Sequence, residues 1–146
     1  MDDELIGAAA RAAARLAKVT EVSLDRVDLS LPQYRMMVLL ADGSSVATAL
    51  AERLTVTRPS ITALTDGLVG RGLVERRVDP ADRRRVTHAL TPAGREALAK
   101  GDAAVQEGLA GVVANLPARK ARAALSGLAL WLEALDVARA RRAETS

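Results

Sequence analysis

The stretch Gly72-Leu-Val-Glu-Arg-Arg-Val-Asp-Pro-Ala-Asp-Arg-Arg-Arg-Val-Thr-His-Ala-Leu-Thr-Pro-Ala-Gly94 decides the fold of this chain. Two short runs suited to strands, Leu73 to Val78 and Val86 to Leu90, flank a charged loop from Asp79 to Arg85. Gly72 closes whatever helix precedes the first strand, and Thr91-Pro92 opens a helix after the second. The loop sets three guanidinium groups, Arg83, Arg84 and Arg85, side by side at a hairpin tip. Mutual repulsion opposes that crowding, and a narrow, strongly negative DNA minor groove relieves it. Asp82 can brace an arginine and fix the loop shape, and Asp79 can cap the turn. The alternative is a charged loop that is merely solvated.

Working upstream, Thr57 is a suitable N-cap for a helix that carries Pro59 in its first turn and ends at Gly72. Ile61, Leu64, Leu68 and Val69 of this helix are expected to pack inwards. The tight turn Thr55-Val56-Thr57 joins it to a shorter helix, Val46 to Leu54, with Val46, Leu50 and Leu54 as its apolar face and Ser44 or Ser45 as its cap. Two helices on a three-residue turn, followed by a hairpin, make a winged helix-turn-helix. The second helix of such a pair can enter the major groove, about 12 Å wide. Its exposed N-terminal face offers Thr57, Arg58, Ser60 and Thr62, and Ser45 stands at the entry to the pair. Arg58 can fork onto a guanine or a phosphate, the hydroxyls can bond to either, and the Thr62 methyl can meet a thymine. On the opposing view Thr57 only caps and Ser60 only faces water.

Further out lie helices. Leu5, Ala9, Ala12, Leu16 and Val19 form one stripe on a helix from about Asp3 to Val22, with the acids Asp2, Asp3 and Glu4 at its positive end. A polar link, Ser23 to Ser30, leads to a helix from about Pro32 to Asp42-Gly43, with Tyr34, Met37, Val38 and Leu40 towards a core. After the hairpin a helix runs to about Leu116, bearing Leu98, Val105, Leu109, Val112 and Leu116; Gly101, Gly108 and Gly111 leave open whether it bends or breaks. Pro117 opens a last helix to about Arg141, with Ala121, Leu125, Leu128, Leu132 and Leu135 in register. The fold class is mainly α with a small β-hairpin. Residues 31–91 form the winged helix-turn-helix lobe, and 1–30 with 92–146 form helices for dimerisation, all one intertwined domain.

Composition narrows the function classes. The 146 residues include no cysteine and a single histidine, His88, so disulfides, thiol redox sensing and multi-histidine metal sites are excluded. His88 falls within a strand, and a structural role is the better reading. With no glycine-rich phosphate loop either, no enzyme, cofactor or metal is expected. From Thr55 to Arg95, eight basic residues face four acids; the rest of the chain holds 13 basic and 14 acidic residues. The positive charge is therefore concentrated on the turn and hairpin, as expected of a polyanion-binding face. Tyr34 and Trp131 are the only aromatics, too few for stacking single-stranded bases. No apolar run approaches the ~20 residues of a membrane span, and the acidic Met1-Asp-Asp-Glu start is unlike a secretory signal, so a cytoplasmic location is expected.

The quoted stretch resembles the wing of the MarR (multiple antibiotic resistance regulator) family, whose pattern is Asp-x-Arg, five residues, then Leu-Thr-x-x-Gly. Asp82, Arg84, Leu90, Thr91 and Gly94 fill it without a gap. Leu29-Ser-Leu-Pro-Gln-Tyr-Arg35 and Val56-Thr-Arg-Pro-Ser-Ile-Thr62 are similar to the family's second and recognition helices. The resemblance implies an obligate homodimer whose first, fifth and sixth helices interlock. It further implies a transcription regulator, by family habit a repressor, on a pseudo-palindromic double-stranded operator. Arg84 would enter the minor groove with Asp82 orienting the wing, and Thr57, Arg58, Ser60 and Thr62 would lie in the major groove. Many members are released by a small aromatic acid or phenol. Arg11 and Arg15, with Leu31, Tyr34 and Met37, could hold such a ligand. The preferred reading makes the three apolar residues core and leaves the arginines solvated or paired with acids. A winged helix serving only as a protein-interaction module is the remaining alternative.

Overall fold

A computed structural model describes residues 2–43 and 45–145. The chain divides into two compact units, Met1–Glu107 and Gly108–Ser146.

In the first unit, α1 (Asp3–Asp25) begins on Asp2, whose carboxylate accepts from the N–H groups of Glu4 and Leu5 at 3.0 and 3.2 Å. The helix runs past the expected end at Val22. Ser23 donates its hydroxyl to Val19 O at 2.8 Å, so its buried polar group is satisfied within the helix, and Leu24 is completely buried. The expected polar link is in fact a tight, half-apolar turn. Leu24 O accepts from Val27 N and Leu29 N, and Leu29 returns to the core.

A capping box then starts α2 (Leu31–Ala41): Ser30 Oγ accepts from Gln33 N, and Gln33 Oε1 accepts from Ser30 N. Met36, Met37 and Leu40 are buried and Tyr34 packs at the core edge, whereas Val38 is exposed, contrary to expectation. Positions 36, 37 and 40 share one helical face, and 38 is turned away from it.

The sheet has three strands, not the two of a hairpin. β1 (Ser45–Val46) pairs antiparallel with β3 (Val86–Leu90), which pairs with β2 (Val74–Val78), giving the order β1-β3-β2. The cap expected from Ser45 on the next helix does not form. Ser45 is occupied in β1, Ser44 lies outside the described residues, and α3 (Ala47–Leu54) starts from Val46 without a side-chain cap. Thr55 ends α3 at a left-handed φ of 56°, and its N–H bonds to the carbonyls of Ala51 and Glu52.

Thr57 caps α4 (Arg58–Gly70) as expected. Ile61 and Leu68 are buried with Thr65, whose hydroxyl donates to Ile61 O at 2.7 Å; Leu64 and Val69 pack beside them. The helix closes in a Schellman motif, with Gly72 N on Val69 O at 2.9 Å and Leu73 N on Leu68 O at 3.0 Å. Gly72 supplies the required positive φ of 71°.

α5 (Pro92–Val113) is an unbroken helix despite its glycines and stops short of the expected Leu116. Its start is locked to the end of α4. Thr91 Oγ1 donates to Gly72 O at 2.6 Å and accepts from Gly94 N at 2.9 Å, while Thr91 N donates to Leu73 O at 3.1 Å. In the second unit, a turn follows α5, Asn115 capping Val112 O at 3.0 Å, and leads to α6 (Ala118–Thr145). Among the described residues of α6 none is buried.

The Leu73 carbonyl leaves no room at position 94: a Cβ there would lie 1.9 Å from it. Replacing a mid-helix glycine by alanine ordinarily stabilises by about 1 kcal/mol. Gly67→Ala, whose new methyl would meet only Gln33 Nε2 at 3.9 Å, should follow that rule. Gly94→Ala should instead destabilise by roughly 2 kcal/mol or more, as expected for an unavoidable backbone overlap. Urea unfolding of the two variants checks the opposite signs.

Candidate nucleic-acid interface

The interface is assembled from the start of α4 and the wing between β2 and β3. Thr57 Oγ1 is 3.0 Å from Ser60 Oγ, and the Thr62 hydroxyl donates to Arg58 O at 3.2 Å. Each of the three hydroxyls thus has an intramolecular partner, yet all remain exposed with spare lone pairs for an outside donor. Arg58 projects beside them. Among the described residues, no hydrogen bond or ion pair engages its guanidinium.

In the wing, both acids are spent on the backbone. Asp79 Oδ1 accepts from Ala81 N at 2.9 Å and Asp82 Oδ1 from Arg84 N at 3.0 Å. Asp79 N donates to Arg85 O, and Arg85 N to Asp82 O, each at 2.9 Å. The bracing expected of Asp82 therefore runs through the amide of Arg84 and leaves the side chain unneutralised. Arg83, Arg84 and Arg85 are exposed, and no partner among the described residues engages their guanidinium groups. This loop stays open while presenting three charges because its shape is set by main-chain bonds.

An open cleft of about 710 Å³ lies between α4 and the wing, bordered by Arg58, Thr62, Arg76, Asp82, Arg84 and Arg85, with His88 in its wall. Arg83 is set apart: it borders a second depression with Val78, Asp79 and Pro80. Ser45 sits half-buried in β1; its neighbour Val46, not Ser45 itself, borders the cleft. Arg76 and His88 are functional candidates that sequence reasoning did not select. Their signal is the register: Arg76 lies directly opposite His88, and alternation then turns both to the cleft side. Arg76 is ion-paired with Asp66 of α4, a bond that ties the wing to the helix.

His88 is buried, and its Nδ1 stands 3.1 Å from Ser45 O. Burial pulls the imidazole pKa below its ordinary 6.5; the Ser45 carbonyl partly opposes this and the Arg76 charge adds to it.

The residues considered for a small ligand are dispersed in role. Met37 is fully buried in the core, and Leu31 and Tyr34 pack against it. The Tyr34 hydroxyl donates to Asp102 Oδ1 on α5 at 2.6 Å; burial and this carboxylate raise the phenol pKa. Arg11 and Arg15 are exposed on α1. Neither cleft touches any of these five. Among the described residues no cluster of three His, Asp or Glu side chains could hold a metal ion, and no helix is long and apolar enough to cross a membrane.

The α3–turn–α4 pair, the three-stranded wing sheet and the basic cleft define a winged helix-turn-helix protein. The MarR family model matches residues 29–86. A solved structure of the transcriptional repressor CouR, bound to a 23-mer DNA duplex, is similar at 31% identity and a TM-score of 0.72, covering 90% of this chain and 94% of that one. Wild-type MarR of E. coli, in its apo form, shares the fold at 23% identity and a TM-score of 0.75, over 89% of this chain and 94% of that one. The uncharacterized HTH-type transcriptional regulator YhbI of Bacillus subtilis (strain 168) is 38% identical over 90 residues, 61% of this chain and 57% of YhbI. The chain spans about half the length of the curated relatives it matches. This chain belongs to the MarR family.

The depressed His88 pKa has a consequence for stability. The unfolded chain takes up a proton near pH 6.5 while the folded one resists it. The stabilising contribution is therefore complete above that range and lost as the pH falls below it. Urea unfolding at pH 7.5 and 5.5 should show wild type losing stability on acidification by more than His88→Gln does; equal losses would contradict the assignment.

Proposed function

We propose that this chain is a sequence-specific, double-stranded-DNA-binding transcription regulator that works as a homodimer in the cytoplasm. One observation carries the DNA reading: Arg58, Arg84 and Arg85 border a single cleft with free guanidinium groups, while the acids beside them are occupied. A cleft so charged has a polyanion as its natural occupant. The start of α4 enters the major groove, where Arg58 reads a base edge or grips a phosphate beside Thr57, Ser60 and Thr62. The wing arginines take the adjoining minor groove. Repression, rather than activation, is the reading supported by the likeness to CouR.

The dimer reading is supported by α6. Its Leu125, Leu128, Leu132 and Leu135 repeat on one face, and all are exposed in the single chain, with Trp131 beside them. A 28-residue helix without one buried side chain gains little from packing and needs a partner to hold it. Two copies then place two recognition helices on a rough palindrome, with half-sites roughly 10 base pairs or somewhat more apart. Release by a small aromatic acid or phenol is proposed on family likeness, with Arg11 and Arg15 as its polar contacts; Leu31, Tyr34 and Met37 already pack in or against the core. No catalytic role is assigned.

Footprinting on the DNA upstream of the protein's own gene tests the DNA reading, repeated with a panel of aromatic acids. Arg84→Ala should weaken binding across sequences and shallow the log–log salt slope by roughly one unit. Arg58→Ala should relax preference at one half-site position, at about 1–3 kcal/mol for a base contact. A wild-type affinity flat between 50 and 200 mM salt, conditions where phosphate neutralisation is costly to lose, would instead identify a protein-interaction module.

Sedimentation equilibrium tests the assembly. Wild type should show twice the 15.3 kDa of one chain, and Leu132→Asp should dissociate or unfold it. A wild-type mass of one chain removes the dimer.

A further inference from the structure

His88 has a place in the cleft that its structural role does not use up. The Ser45 carbonyl can only accept, so Nδ1 carries the hydrogen of the neutral ring. Nε2 is then a bare acceptor. It makes no hydrogen bond among the described residues, and His88 is one of the residues that line the cleft. A proton can therefore reach it from the cleft side.

The charges that face this ring come from several elements. β2 contributes Arg76 directly across the ladder, and α4 contributes Arg58 at the cleft and Asp66 through its pair with Arg76. The wing loop contributes Arg84, Arg85 and Asp82. β1 brings only the Ser45 carbonyl, and the part of α3 that borders the cleft, Ala47 and Thr48, is uncharged. On α2, which also packs on β3, Arg35 is turned to Leu54 O at 3.2 Å and neither it nor Asp42 borders the cleft. Four guanidinium groups against two carboxylates leave a positive surplus around the imidazole, so the empty cleft resists one more cation.

A duplex in the cleft reverses that balance, because its phosphates bring negative charge to the same arginines. We infer that DNA binding by this protein takes up a proton at His88, making the imidazole a fifth cation of the cleft and the affinity for DNA pH-dependent. The inference rests on the DNA-binding reading above. By linkage, a ligand that favours the protonated ring binds more tightly as the pH falls. The chain has no other histidine and no cysteine, so His88 is the one side chain whose ordinary pKa lies between pH 6 and 7.5.

The direct test is the imidazole Cε1–H resonance, a single signal in this chain, titrated from pH 8 to 5 with and without a 30-base-pair duplex from the region upstream of the gene. Its midpoint should move up on DNA binding. Fluorescence anisotropy with the same duplex should give a Kd roughly three- to tenfold lower at pH 6 than at pH 7.5, a size set by one linked proton. His88→Gln, checked for folding by circular dichroism, should bind with a flat profile. A midpoint unmoved by DNA overturns the inference, with or without a folded variant. So does a pH dependence that survives in folded His88→Gln. If the folded protein binds neither this duplex nor a scrambled one at either pH, the DNA reading itself falls and the inference with it.

Discussion

The winged-helix lobe depends on how Thr91 is held. Its hydroxyl donates to Gly72 O and accepts from Gly94 N, and its amide donates to Leu73 O, so one residue joins the end of α4, the root of the wing and the start of α5. Those are three backbone segments whose polar groups would otherwise be left without partners at a crowded junction. Gly94 is the sterically obligatory member, since its bare Cα lies where the Leu73 carbonyl passes. The Leu-Thr-x-x-Gly spacing is thus a packing rule: threonine to bond three ways and glycine three residues on to let the chains touch. Everything the wing does in space follows from this anchor.

From that anchor the strands reach out to a loop whose charges are sorted by kind. Every acid near the cleft has been given a task, Asp79 and Asp82 holding main-chain amides and Asp66 holding Arg76. Surface ion pairs of this sort add little to stability, typically below about 1 kcal/mol. Their larger effect is on where uncompensated charge remains. Arg58 on α4 and Arg84 and Arg85 on the wing keep free guanidinium groups around one opening. A net charge of only +3 for the chain conceals this arrangement.

Much of this was legible in the residues. Caps and breakers marked α4 and the wing to within a residue or two, because the capping bonds of Thr57 and of Thr91 to Gly94 N, and the turn at Gly72, are local. What could not be read was set by distant partners. β1 is two residues long, too short for any alternation, and exists because β3 is beside it. Ser23 and Leu24 looked like a link until the core that buries Leu24 was in place. Arg76 and His88 belong to the cleft by strand register, which no single strand contains. The α5 glycines, weak helix formers on their own, sit in a continuous helix, with Gly101 pressed against Leu29 and Tyr34 where a larger side chain would crowd them.

The same cleft sets two demands on one histidine. Folding keeps the ring buried and neutral, with Nδ1 on Ser45 O so that β1 stays paired with β3 and α3 keeps its place behind α4. A polyanion in the cleft would favour the cationic ring, whose Nδ1–H bond to Ser45 is retained because both nitrogens of imidazolium donate. Protonation therefore leaves the strand contact intact and changes only the charge seen from the cleft. That separation matters physically. A group whose structural bond broke on titration would lose the strand contact as well as stability, whereas one that keeps the bond bears only the cost of burying its charge and also couples pH to the electrostatics of binding. His88 is of the second kind, because the atom that holds the sheet together differs from the atom that takes the proton.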